Sequence, residues 1–224
     1  MTMLSDNVTV LVVGDPSSGT LEFCCYMATT YLRSGERVVF VESDSELEQL
    51  DQQFELFGLD VPSLERSHHL AIVDCHEDTK GLTKDKRILR VANMANLEDI
   101  VEKVTEGIVR VGGSPVRVIF DSLTPLYKYH DASKMERFFR ALSSQVKVSG
   151  RLTAVVHSGL MDERHIDRLG EISEGILEMR VDGYFHRYVR LNKFKGLEIA
   201  PRWVPFEMDL EDESQGTVLG WKKS

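Results

Sequence analysis

Short apolar runs alternate with amphipathic stretches along the chain, and this rhythm defines the expected elements. Five runs are almost continuously apolar: Val8–Val13, Arg37–Glu42, Leu70–Asp74, Val116–Asp121 and Leu152–His157. Runs of that kind suit parallel strands buried on both faces rather than half-exposed antiparallel ones. Between them the apolar residues fall at helical spacing, predicting helices over Leu21–Ser34, Ser45–Phe57, Leu97–Val111 and Ser133–Val148. In the last of these, Met135, Phe138, Phe139, Leu142 and Val146 form one stripe, the buried face of a helix. Gly35 and Gly58 stand where C-terminal caps belong, and Ser45 with Glu48 has the spacing of a capping box. Beyond Gly175 the texture changes to Gly175–Val181, Tyr184–Leu191 and Arg202–Phe206, short strand-like runs broken by turn residues. They predict an antiparallel region closing one edge of the sheet. The βαβα order with a β-rich tail predicts one three-layer α/β domain over residues 1–224, built on a mainly parallel sheet.

Composition narrows the function classes. Hydrophobic residues make up 42% of the 224 positions, enough for a real core. A net charge of −9 argues against duplex binding, which needs a basic face to displace counterions, so nucleic acid is not an expected partner. The three cysteines, Cys24, Cys25 and Cys75, form no CxxC pair, the usage expected of a reducing, cytoplasmic setting. No apolar run approaches the ~20 residues needed to span a bilayer. His68, His69, Cys75, His76, Glu77 and Asp78 gather metal-ligating types, but their spacing matches no structural zinc pattern.

Candidate chemistry begins in Val8–Leu21, VTVLVVGDPSSGTL. A strand runs into Gly14, followed by Asp15, Pro16, Ser17 and Ser18, then Gly19, then a helix: the frame of the phosphate-binding loop GxxxxGK[ST]. Thr20 holds the lysine position, Leu21 holds that of the Ser/Thr, and Asp15 adds a negative charge beside the place of a triphosphate. Lysine neutralises the β- and γ-phosphates and the hydroxyl holds Mg²⁺, so the central chemistry of the loop is missing. Gly14 and Gly19 either cradle a phosphate on the helix N-terminus or only shape a tight turn. Asp121 is a strand-end carboxylate that either serves such a site or caps a turn; Glu42, alone, reads as a solvated strand end.

Four segments taken in order resemble the KaiC-like branch of the RecA-type P-loop ATPases. They are the loop itself, VVFVESDSELEQLDQQFELFGLD at Val38–Asp60, VRVIFDSLTPL at Val116–Leu126, and the set VVHSG, SEGILEM and RYVRLNKFKGLE. The resemblance covers residues 7–220 and implies a RecA-like fold. It places Asp121 at the Walker B aspartate that orders Mg²⁺, and Glu42 at the water-activating glutamate, with Ser43 where a companion acid often follows. It places His157 at a polar sensor. Lys193 and Lys195 fall on the Lys-x-Arg pair that reaches the phosphate bound by a neighbouring subunit, although lysine in place of arginine loses the bidentate fork. A solvated basic face is the alternative for both lysines, and a satisfied core residue for His157. The implied cofactor is ATP or ADP with Mg²⁺, weakly held. The implied role is that of a pseudo-ATPase in regulation, signalling or scaffolding, whose partner is another protein, an active family member or a signalling component. A weak ATP-binding sensor or ATPase completed by a neighbour's lysine is the alternative. Rings held through nucleotide would be weakened, leaving a monomer or a small homo-oligomer such as a dimer through the edge strands near Arg187–Lys193.

Overall fold

A computed structural model describes residues 7–76, 88–91 and 93–206. One nine-stranded sheet organises them, in the order β4-β3-β2-β5-β6-β1-β7-β8-β9. The strands are β1 (Thr9–Gly14), β2 (Arg37–Glu42), β3 (Leu70–Asp74), β4 (Leu89–Arg90), β5 (Val116–Asp121), β6 (Gly150–His157), β7 (Gly175–Val181), β8 (Arg187–Phe194) and β9 (Val204–Pro205). Every pair from β4 across to β7 is parallel, and β7–β8–β9 is antiparallel. The continuous apolar runs have the expected cause. In β2, Val39 and Val41 face one core while Val38 and Phe40 face the other, so both sides of the strand are dry.

The helices cover the two faces. α1 (Thr20–Arg33), α2 (Leu47–Leu56) and α3 (Val61–Arg66) supply Phe23, Cys24, Phe54 and Val61 to the second core, that of Val38 and Phe40. α4 (Leu97–Val111), α5 (Ala132–Lys147) and α6 (Glu163–Ile172) supply Ile100, Val104, Phe139 and Leu169 to the other. The predicted α5 stripe is buried at all five positions. All three cysteines are free thiols in this interior, and burial, the largest cause in each case, pushes them up from the ordinary thiol range.

Four local expectations change. Gly35 and Gly58 do follow α1 and α2 in left-handed backbone, but the Ser45–Glu48 capping box does not form: the N-cap of α2 is Glu46, with no side-chain cap. The reason is local, because the Asp44 and Ser45 N–H groups donate to Glu42 Oε1 at 2.9 and 2.6 Å. Ser45 is thereby spent on closing the turn after β2. Second, β8 covers Arg187–Phe194 rather than Tyr184–Leu191. The Asp182 carboxylate accepts from the N–H groups of Tyr184 and His186 at 2.8 and 3.0 Å, holding a turn with Phe185 at φ 64°. Third, two helices are present beyond the four expected: α6 after Ser158 and a short α3 after Gly58. Fourth, β8 is flanked by β7 and β9, and Val189, on its apolar face, packs with Phe206 inside the second core. That face is covered by the chain itself. Glu77 and Asp78 lie outside the described residues; among the described ones no group of three or more His, Cys, Asp or Glu could hold a metal.

Lys193 closes α6. Its ammonium donates to the carbonyls of Gly170 and Ser173 at 2.8 and 3.0 Å, satisfying acceptors that a helix C-terminus leaves open. Replacing it, Lys193→Met, should lower stability by about 1–2 kcal/mol for two lost hydrogen bonds. Thermal unfolding followed by circular dichroism checks this, and an unchanged midpoint would show that water replaces the ammonium at no cost.

Candidate functional site

The carboxyl ends of the parallel strands bring the sequence candidates together, the usual place for a ligand in an open α/β sheet. Gly14 ends β1 opposite His157 at the end of β6, and Glu42 ends β2 between Asp74 of β3 and Asp121 of β5. Asp74 is neutralised within the sheet edge by Arg90 at 2.9 Å and sits 3.1 Å from His76 Nδ1.

After Gly14 the loop turns through a short 3-10 helix, Pro16–Ser18, and enters α1 at Thr20. It is braced by its own side chains. The Asp15 carboxylate accepts from the Ser17 N–H at 2.9 Å and from the Ser17 hydroxyl, and Ser18 Oγ donates to the Asp15 carbonyl at 2.7 Å. A Cβ on Gly14 would stand 2.5 Å from Ser18 Oγ, so the turn folds back onto a residue that has no side chain. Gly19 has φ +81° and, lacking a side chain, offers α1 no capping acceptor. Leu21 packs against the second core and presents no oxygen.

Thr20 is buried, and its Oγ1 lies 3.1 Å from His157 Nε2. His157 Nδ1 lies 3.3 Å from Asp44 Oδ2. Burial is the main cause that lowers the His157 pKa, opposed by Asp44 and Asp15. A neutral ring that gives its Nδ1 proton to the Asp44 carboxylate must accept at Nε2, so the Thr20 hydroxyl is the donor. The position where the loop frame has lysine is therefore turned inward, tied to His157.

Glu42 and Asp121 are both buried. Glu42 Oε2 has no hydrogen-bond partner among the described residues. Desolvation, then Asp121, pushes the Glu42 carboxyl up to about 9, and desolvation, then Asp44 and Glu22, pushes Asp121 up to about 7. Two such groups side by side retain a proton at neutral pH. Of the Mg²⁺ ligands that the loop frame calls for, Leu21 gives no hydroxyl, which leaves the Asp121 carboxylate with Glu42 beside it in the sheet. Ser43, where a companion acid was expected, braces the end of β5: its N–H donates to the Asp121 carbonyl at 2.9 Å and its Oγ accepts from the Ser122 N–H at 3.1 Å. The Asp121–Ser122 peptide is cis.

Residues 3–214 match the KaiC ATPase family model, nearly the whole chain. The chain belongs to the KaiC ATPase family. The chain is also similar to a UPF0273 protein of Thermotoga maritima, 24% identical over 204 residues, covering 89% of this chain and 83% of the relative. A UPF0273 protein of Pyrococcus furiosus is 27% identical over 205 residues, covering 89% and 81%. The crystal structure of the KaiC-like protein PH0186 from Pyrococcus horikoshii superposes with a TM-score of 0.72 at 18% identity, covering 92% of this chain and 88% of that one. This last likeness shows the fold: the three layers and mainly parallel sheet are those of a KaiC-like RecA domain.

Within the KaiC frame the lysine pair separates. Lys193 is occupied by the α6 carbonyls of its own chain, whereas Lys195 is exposed just past β8. Sequence reading missed Asp44 and Arg187. The Arg187 guanidinium lies over Gly19 and pairs with Glu22 at 3.0 Å, across a separation of 165 residues. Nothing local in the sequence marks that contact.

Proposed function

We propose that this chain is a KaiC-like pseudo-ATPase, a regulatory, signalling or scaffolding protein with little or no ATP hydrolysis. One observation carries the reading: the loop has a buried Thr20 bonded to His157 at its lysine position and a core-packed Leu21 at its Mg²⁺-ligand position. Phosphoryl transfer is driven by positive charge set against the phosphates, and these two substitutions remove most of it. Asp15, Glu22, Asp44 and the Glu42–Asp121 pair make the surroundings more hostile to a triphosphate. Glu42, the relic of the water-activating position, is a protonated group with its Oε1 tied to backbone, unsuited to act as a base. A nucleotide, ATP or ADP, would be held weakly. The natural partner is another protein, either an active family member or a signalling component, in the cytoplasm; among the described residues no helix is long and apolar enough to cross a membrane.

Steady-state phosphate release by the purified protein should stay at the level of a no-enzyme control with ATP and Mg²⁺. Turnover of ~1 s⁻¹ or more, ordinary for enzymes, would sink the reading. The exposure of Lys195 keeps one alternative in view, a weak ATP-binding sensor or ATPase completed by that lysine from a neighbouring copy. Activity that rises with protein concentration and disappears in Lys195→Ala would favour it.

A further inference from the structure

We propose that this chain associates head to tail with further copies of itself, without nucleotide: the aromatic tip of the β7–β8 hairpin of one copy enters the acid-rimmed apolar pocket between α2, α3 and β3 of the next. The inference goes beyond the pseudo-ATPase reading and does not depend on it.

The tip is built to face outward. Tyr184 and Phe185 are 83% and 88% exposed, two adjacent rings left in water. Phe185 sits at φ 64°, a left-handed backbone that a bulky residue adopts only at a cost. The Asp182 carboxylate holds it there. Besides accepting from the Tyr184 and His186 N–H groups, it accepts from the Tyr188 hydroxyl at 3.2 Å and lies 3.2 Å from His186 Nδ1. A turn fixed this firmly loses little freedom on docking, so its rings are pre-organised anchors. Behind them Arg180 lies over the rings of Tyr188 and Trp203, at 5.3 and 4.2 Å, and forms no ion pair among the described residues.

The same fold carries the matching recess. A cavity of about 370 Å³ is lined by Leu59, Val61 and Ile72 together with Glu55 and Asp60. Its volume stands at the small end of the roughly 300–1,000 Å³ of ordinary binding pockets. Val61 and Ile72 are buried, whereas Glu55 and Asp60 are exposed and set negative charge at its mouth. The apolar lining suits the two rings, and the carboxylates suit Arg180. The net charge of −9 argues against an anionic lipid surface as the receptor of these rings. In the sheet, β3 is second from one edge and β8 second from the other. Six strand spacings of about 4.8 Å, roughly 29 Å in all, separate them. The hairpin therefore enters the pocket of another copy, not its own. A contact between two different patches is heterologous, so it repeats until a ring closes or a filament grows.

Sedimentation velocity of the full chain without nucleotide, over a rising concentration series, should show species larger than a dimer. The interface is small, so these should appear at the upper concentrations. Tyr184→Ala with Phe185→Gly, the tip variant, should raise the dissociation constant about tenfold or more. Its thermal midpoint should hold or rise, because glycine relieves the left-handed backbone. Pro62→Trp fills the pocket from an exposed position in its lining and should weaken assembly equally. Glu55→Arg takes its place if Pro62→Trp fails to fold by circular dichroism. Mixing decides the matter: neither variant should assemble alone, yet the two together should form a capped one-to-one heterodimer, one intact tip meeting one intact pocket. A chain that stays monomeric, a dimer that grows no further, assembly that requires ATP, or variants that associate like wild type would each overturn the inference. A monomer would leave the pseudo-ATPase reading intact, and ATP turnover would sink that reading without touching this one.

Discussion

Thr20→Lys combined with Leu21→Thr should tighten ATP binding by roughly tenfold to a hundredfold, the worth of one good charge-assisted contact of about 1.5–3 kcal/mol. The loop path needs no rebuilding, because Asp15, Ser17 and Ser18 already brace it. The cost falls elsewhere. The new lysine must leave the Thr20–His157 contact and turn out of the protein, and Leu21→Thr gives up apolar contact in the second core. The double variant should thus melt lower than wild type while binding more tightly. Calorimetry with ATP and Mg²⁺ on the folded double variant decides it. Unchanged affinity would show that the surrounding carboxylates, not the absent lysine, set the limit, and Glu22→Gln would then be the change to make.

The second large effect concerns Glu42 and pH. Its carboxyl is held protonated to about 9 by burial and by Asp121, far above its value in an unfolded chain. The folded state therefore binds a proton that the unfolded chain releases, so stability is fully present below about pH 4.5 and declines as the pH rises through 7 toward 9. Glu42→Gln fixes the neutral form in the same shape, and its amide oxygen can still accept from Asp44 and Ser45. It should stabilise the protein by about 2 kcal/mol or more at pH 9 and by almost nothing at pH 4.5. Urea unfolding at the two pH values measures this directly. Equal effects at both would mean that Glu42 is ionised in the fold and pays for its burial in some other way.

How far the sequence foretold these features depends on how local their causes are. Five of the seven parallel strands announce themselves because burial on both faces forces an unbroken apolar run, as in Val38–Val41. α5 is legible because its apolar stripe, Met135 to Val146, repeats over about three turns. α6 is not, although Ile166, Leu169 and Ile172 fall at helical spacing and pack on the core: Glu163–Ile172 is short, carries five charged residues, and has its end closed by a lysine on β8. α3 is six residues with Pro62 inside, which reads as a turn until Asp60 is seen accepting from the Ser63 N–H at 3.0 Å. The aromatic pair Tyr184–Phe185 resembles strand in composition, yet one carboxylate, Asp182, decides for a turn. In the site, strand-end residues such as Glu42, Asp121 and His157 could be placed from sequence because each closes an apolar run. What each of them touches could not. Thr20 with His157, and Gly19 with Arg187, meet only when the sheet order brings β6 and β8 beside the loop.

The self-bracing of the Gly14–Thr20 turn has an evolutionary reading. Where a phosphate shapes its own cradle, losing the ligand costs order in the cradle, and selection against misfolding guards the binding residues. Here Asp15, Ser17 and Ser18 define the turn through their own hydrogen bonds, so substitutions at positions 20 and 21 leave those bonds in place. The loop's shape and the chemistry it presents can therefore change separately, one substitution at a time.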